Sequence, residues 1–141
     1  MTDPDLLEKK LAFIETCVQE LRTFARPELI GKDIREERFV AHTLQLAVQS
    51  ALDVASHIVS DQRLGEPATN RALFGLLRRA GWLPEPVAER CEAMAGFRNI
   101  LVHGYQTVDL RVVRDVVEHR LDDLLEFVTA IRARVVSRPD P

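Results

Sequence analysis

The sequence predicts an all-α protein, specifically an antiparallel bundle of four long helices and one short helix. Three observations favour this class. Apolar residues recur at steps of three and four along most of the chain, and no stretch shows the apolar–polar alternation that marks a strand. The 141 residues are 46 % hydrophobic, which suffices for one core, and Gly and Pro are sparse, at 6 and 7. We expect a single domain over residues 1–136 and a loose tail over residues 137–141.

The first two long helices have clear start signals. Asp3 is a good cap for the first helix, and Pro4 suits its first position, where a missing N–H costs nothing. Asp33 opens the second helix in a capping-box pattern with Glu36, and the apolar repeat continues to about Asp61. The apolar face of this second helix is rich in small residues, which allow a neighbouring helix to approach closely. We therefore expect it to be central.

Three further helices follow from the same periodicity. A short helix over about residues 70–80 comes after a loop that contains Gly and Pro, and it ends at a glycine. The next helix has prolines only in its first turn and extends to about His103 or Gly104. Asp109 or Thr107 caps the last helix, whose apolar repeat continues nearly to the end of the chain.

Composition limits the classes of function. The net charge of -3 weighs against strong nonspecific binding of nucleic acid, which depends on many Lys and Arg contacts to phosphate, but it leaves room for a local basic site. The acidic N-terminus and the lack of a long apolar run predict a cytoplasmic protein that does not enter the membrane. Cys17 and Cys91 stand alone and are expected to be buried apolar residues rather than zinc ligands or disulfide partners.

The stretch Phe-Arg-Asn-Ile-Leu-Val-His-Gly-Tyr collects four polar side chains at the end of a predicted helix. Asn99 and His103 are four residues apart and therefore share one helix face. Arg98 is five residues from His103, and its long side chain can cover part of the angle between them. Tyr105 comes after Gly104, where the chain is free to turn. These side chains form the candidate site.

Such a set could cleave RNA. An RNA strand breaks when its 2′-hydroxyl loses a proton and attacks the adjacent phosphate. His103 would supply an acid or base with a pKa of about 7, and Arg98 a planar fork of donors for the charge that grows on the phosphoryl oxygens. Asn99 is placed to hold the imidazole or to contact the phosphate. This chemistry needs no metal and no cofactor, and we find no carboxylate cluster that would hold a metal.

The spacing alone leaves other interpretations open. The helix dipole by itself favours Arg and His near a helix C-terminus, so these residues could simply be a cap. One motif His per chain is little for acid–base work, and a homodimer with two copies of the motif across one cleft would double the set. Asp53 and His57 are four residues apart on the second helix. They are either supporting polar groups or a satisfied polar pair at a helix interface.

The motif Arg98-Asn99-x-x-x-His103-x-Tyr105 resembles the signature of the HepT-like branch of the HEPN superfamily. The resemblance extends over about residues 5–135. Three stretches of the second helix also resemble the corresponding helix of that family: residues 37–39, 44–47 and 52–58.

The resemblance implies a HEPN-like bundle that dimerises with its two motifs facing a shared cleft. It implies an endoribonuclease that is the toxin of a toxin–antitoxin pair, with Arg98 and His103 as catalytic residues. From the spacing of the residues alone, we expect Asn99 and Asp53 to be supporting residues. The partner would be an MntA-type nucleotidyltransferase that transfers AMP to the motif tyrosine, here Tyr105. A competing hypothesis is a non-catalytic, nucleotide-binding helical partner of such a transferase, and another is a dimeric scaffold. The net charge mildly favours these two alternatives.

Overall fold

A computed structural model describes residues 3–103 and 109–137, and every regular element within them is helical, which confirms the all-α class. Gly104, Thr107, Tyr105 and the part of the predicted tail after Ser137 lie outside the described residues, as does the His103 side chain. The helices are α1 (Pro4–Phe24), α2 (Ile34–Asp61), α3 (Ala72–Arg79), α4 (Glu85–His103), α5 (Leu110–His119) and α6 (Leu121–Ser137), with a 3₁₀ turn at Pro27–Leu29.

The last predicted helix is in fact two helices, so the described residues contain six α-helices rather than five. The helical run breaks at Arg120, between α5 and α6. The apolar repeat passes from Val117 to Leu121 without a change of phase, and periodicity alone could not detect the break. Asp122 and Asp123 stand in the first turn of α6, where the helix dipole favours negative charge, and they mark the new start.

Polar contacts show that α1 runs antiparallel to α2. The Lys10 ammonium lies 3.2 Å from a carboxylate oxygen of Asp53. Near the other end of α1, the N–H of Arg26 donates to the Glu36 carboxylate at 2.8 Å. The prediction of a capping box is therefore wrong in one half. Asp33 does accept the N–H of Arg35, but Glu36 accepts from Arg26, between α1 and the 3₁₀ turn, instead of from Asp33.

The last helix completes the bundle. It runs antiparallel to α1, because Arg132 near its end bonds Glu8 while Asp122 near its start bonds Arg22. It also runs antiparallel to α4, since Glu126 pairs with Arg90 in α4 while Arg134 lies over the ring of Trp82, just before α4. It follows that α4 runs antiparallel to α2 as well.

The core lies between these helices, with α2 at its centre, as the small residues predicted. Ala47 and Ala55 are fully buried on α2, which packs against α1, α3, α4 and α6. Cys17 and Cys91 are free and buried, as expected, and burial raises the pKa of Cys17 to about 11 and that of Cys91 further. None of the described helices combines the length and the apolar character needed to cross a membrane.

Candidate active site

The sequence motif occupies the last two turns of α4. This helix carries Arg98 and Asn99 and continues without interruption to His103. Asn99 and His103 are therefore one helical turn apart, in the register that puts both positions on one face. Of the predicted site residues, the structure describes the side chains of Arg98, Asn99 and Asp53, while Tyr105 lies outside it.

Arg98 is held by amide oxygens. Its Nη2 donates to Oε1 of Gln49 at 2.7 Å, and its Nη1 donates to Oδ1 of Asn99 at 3.3 Å, a longer and weaker contact. Its Nε is buried and has no hydrogen-bond partner among the described residues. Because both acceptors are neutral, and no carboxylate within residues 3–103 and 109–137 pairs with this guanidinium, Arg98 keeps its full positive charge for a ligand.

Gln49 connects Arg98 to a carboxylate without bringing the two charges together. Its Nε2 donates to Oδ1 of Asp53 at 2.9 Å, and the other oxygen of Asp53 accepts from Lys10 at 3.2 Å. The bonds on its two sides fix the amide, because a flipped amide would set its N–H groups against the guanidinium. Asp53 thus reaches the motif through Gln49, and its charge is balanced by Lys10.

The structure does not join Asp53 to His57. Both oxygens of Asp53 are used by Gln49 and Lys10, and His57 is bonded to neither of them in the described part of the chain. Nε2 of His57 is buried with no partner among those residues. The interpretation of Asp53 and His57 as a mutually satisfied pair is therefore wrong. The spacing of four residues put the two side chains on one face, but Gln49 and Lys10 donate to Asp53 instead.

Sequence reasoning missed two members of this network, Gln49 and Lys10. Gln49 had a signal, since it stands one turn before Asp53 and therefore on the same face of α2. Lys10 had none, because its partner is 43 positions away and on another helix.

The described residues offer no group of three or more His, Cys, Asp or Glu side chains arranged to hold a metal ion. Among the described residues, Arg98 bonds two neutral amides, and Asp53, which reaches it through Gln49, is paired with Lys10. The chemistry that these residues can offer is hydrogen bonding and positive charge for an anionic group, and a phosphate matches it well.

The family described as "Ribonuclease HepT-like" matches residues 14–131. The chain is similar to the mRNA nuclease HepT of Shewanella oneidensis, at 32 % identity over 130 residues that cover 92 % of this chain and 98 % of the relative. It is also similar to the tRNA nuclease HepT of Aphanizomenon flos-aquae, at 26 % identity over 137 residues that cover 96 % and 93 % of the two chains.

A solved structure shares the fold. It is described as a tri-AMPylated Shewanella oneidensis HEPN toxin in complex with an MNT antitoxin. The TM-score is 0.85 at 31 % identity, and the match covers 93 % of this chain and 99 % of that chain. The resemblance noted at the motif is thereby confirmed over nearly the whole bundle. The chain belongs to the ribonuclease HepT-like family.

Proposed function

We propose that this chain is a metal-independent endoribonuclease toxin in which Arg98 and His103 act on an RNA phosphate. The observation that carries the proposal is the state of Arg98, which is oriented by two amide oxygens and pairs with no carboxylate in the described part of the chain. Membership of a ribonuclease family supports the reaction class, and two relatives named as mRNA and tRNA nucleases support RNA as the substrate.

The mechanism assigns each residue one task. The 2′-oxygen attacks the adjacent phosphorus while the bond to the 5′-oxygen breaks, which leaves a 2′,3′-cyclic phosphate and a 5′-hydroxyl. His103 takes the proton from the 2′-hydroxyl or gives one to the leaving oxygen. The guanidinium of Arg98 binds the non-bridging oxygens, whose charge rises in the transition state. One imidazole can serve only one of the two proton transfers at a time, and a homodimer, which we expect, would supply the second.

The test is cleavage of RNA by protein made without an antitoxin, in the presence of EDTA. We expect the wild type to leave 2′,3′-cyclic phosphate ends and His103→Ala to lose cleavage while keeping its melting temperature, because His103 is at a helix end. Arg98→Ala should lower kcat/KM by about a hundredfold or more, as the loss of an electrostatic donor does elsewhere. Cleavage by His103→Ala at the wild-type rate would contradict the acid–base role.

A second candidate function is a non-catalytic, nucleotide-binding helical partner of a nucleotidyltransferase. The net charge of -3 favours it, because such a partner does not need to hold an RNA strand. The same experiment separates the two. Folded, unmodified wild-type protein that leaves several RNAs intact would favour the accessory role over the nuclease.

We further propose that an MntA-type nucleotidyltransferase neutralises the chain by transferring AMP to Tyr105. The similar solved complex, of an AMPylated HEPN toxin with an MNT antitoxin, supports a partner and a modification of this class. A phosphate two residues after His103 would bring negative charge to the cleft and compete with RNA for Arg98.

Substituting Tyr105 tests this modification. The chain has a single Tyr, so any AMP on tyrosine has one acceptor. We expect Tyr105→Phe to gain no AMP mass after incubation with the transferase and ATP, and to remain an active nuclease while the wild type is silenced. Full neutralisation of Tyr105→Phe by modification would show that the acceptor is another residue.

A further inference from the structure

We propose that Gln49 is the positioning residue of Arg98. Asp53 and Lys10 hold the Gln49 side chain in place, and Gln49 in turn orients the Arg98 guanidinium. It also keeps the charge of Asp53 away from the guanidinium. The inference rests on the proposed function, because the group that Arg98 is held ready for is the RNA phosphate. We refer to the bonded series Lys10–Asp53–Gln49–Arg98 as the amide relay.

The amide relay joins three helices by three hydrogen bonds. Lys10 on α1 bonds Asp53 at 3.2 Å, Asp53 bonds Gln49 one turn earlier on α2 at 2.9 Å, and Gln49 bonds Arg98 on α4 at 2.7 Å. All of these bonds are partly buried, where hydrogen bonds are stronger than in water. The guanidinium is therefore tied to the packing of α1, α2 and α4.

The chemistry of position 49 is specific. The side chain there must accept from a guanidinium on one side and donate to a carboxylate on the other. Gln offers both groups at that length. A carboxylate would offer only acceptors, an ammonium only donors and an apolar side chain neither.

The side chain at position 49 also has to be uncharged. A carboxylate beside Arg98 would form a charge-assisted pair, which is roughly twice as strong as a neutral hydrogen bond, and this pair would compete with the phosphate. Asp53 carries such a charge, but the Gln49 side chain stands between it and Arg98, and Lys10 balances it. The arrangement gives Arg98 a fixed direction without a counter-ion from the residues that the structure describes.

The decisive variant is Gln49→Glu, with Gln19→Glu as the matched control. Gln19 is exposed on α1, so the control adds the same charge away from the relay. At neutral pH we expect Gln49→Glu to lower kcat/KM about tenfold to a hundredfold relative to the control, in the range that misplacing a catalytic group costs. The control should cleave like the wild type.

The pH profile separates positioning from a general loss of structure. A protonated carboxyl has one donor and one acceptor, as an amide has. The deficit of Gln49→Glu should therefore be full above the pKa of the introduced carboxyl and should shrink as the pH falls through it, when each rate is divided by that of Gln19→Glu at the same pH. Gln49→Leu, which adds no charge, should show a deficit in kcat that does not change with pH.

The outcomes are distinct. If the wild type cleaves RNA, and Gln49→Glu matches Gln19→Glu at every pH, the relay is wrong while the nuclease stands. If Gln49→Glu fails to melt cooperatively, the test rests on Gln49→Leu. A kcat of Gln49→Leu equal to that of the wild type then overturns the proposal. If the wild type cleaves nothing, the nuclease is wrong, and binding of a 2′-O-methyl RNA oligonucleotide decides the relay. Weaker binding by Gln49→Glu that recovers at low pH supports it, and equal binding overturns it.

Discussion

Single residues show how the same guanidinium group takes two roles in this chain. Within residues 3–103 and 109–137, Arg98 contacts two amide oxygens and no carboxylate. Arg132 contacts the carboxylates of Glu8 and Glu15, and these hydrogen bonds raise its pKa above the ordinary value for arginine. The acceptors that each arginine contacts thus determine its role. Arg132 links two helices, whereas Arg98 is available for a ligand.

At two glycines, we predict that substitution by alanine changes the free energy of unfolding in opposite directions. Gly81 has a φ of +83° and open space around its Cα, so Gly81→Ala should destabilise the fold by about 1–2 kcal/mol through backbone strain alone. Gly75 lies inside α3, where an added Cβ would meet Glu92 at an ordinary 3.7 Å, so Gly75→Ala should stabilise it by about 0.5–1 kcal/mol. Urea unfolding measures both. Equal signs would contradict this account.

At the scale of elements, charge pairs line the contact between α1 and α6. Arg132 bonds Glu8 and Glu15, which are about two turns apart on α1, and Arg22 bonds Asp122 at 2.6 Å near the other end of the same contact. Their side chains are about one third to three quarters exposed, and solvent therefore weakens each pair. Apolar packing beneath them carries most of the stability, and the pairs fix the alignment of the two helices.

Because of this contact, we expect the free energy of unfolding to depend on pH in the acidic range. The hydrogen bond from Arg132 holds the pKa of Glu15 below its ordinary value of 4.5. A lowered carboxyl pKa contributes stability above the ordinary value, and this contribution is lost as the pH falls through the lowered one. Glu15→Gln should therefore cost about 0.5–1 kcal/mol at neutral pH.

The same cost should disappear in acid, where Glu15 itself becomes neutral. Glu20→Gln is the control, because Glu20 is an exposed residue of α1 with no ion pair within the described residues. Urea unfolding of the three proteins across this pH range gives the comparison. A deficit of Glu15→Gln that is the same at neutral and acidic pH would show that the charge of Glu15 is not its cause.

At the scale of the whole molecule, the architecture explains how a small chain builds an oriented cation. The central α2 is antiparallel to both α1 and α4, and its Gln49 and Asp53 lie between a lysine on one and an arginine on the other. A shift of any of the three helices would lengthen or break a hydrogen bond of the amide relay. The orientation of Arg98 therefore depends on how these three helices pack.

The sequence predicted much of this fold because local signals determine helices. Asp3 and Asp109 cap helices as expected, and α1 to α4 begin and end within a few residues of the predicted positions. The break at Arg120 was missed because the apolar repeat does not change there. The motif predicted Arg98 and Asn99 as site residues, but the bond from Arg98 to Gln49 spans 49 positions, and no local pattern encodes which helices meet.

The pairing of the first helix with the last also fixes when the bundle can close during synthesis. Glu8 and Arg132 are 124 positions apart. At about 5–20 residues per second, a ribosome makes them on the order of 6–25 s apart. Through that interval the apolar face of α1, which includes Leu7, Leu11 and Ile14, has no α6 to cover it. A nascent chain therefore carries a half-covered first helix until its carboxyl-terminal segment emerges and folds onto it.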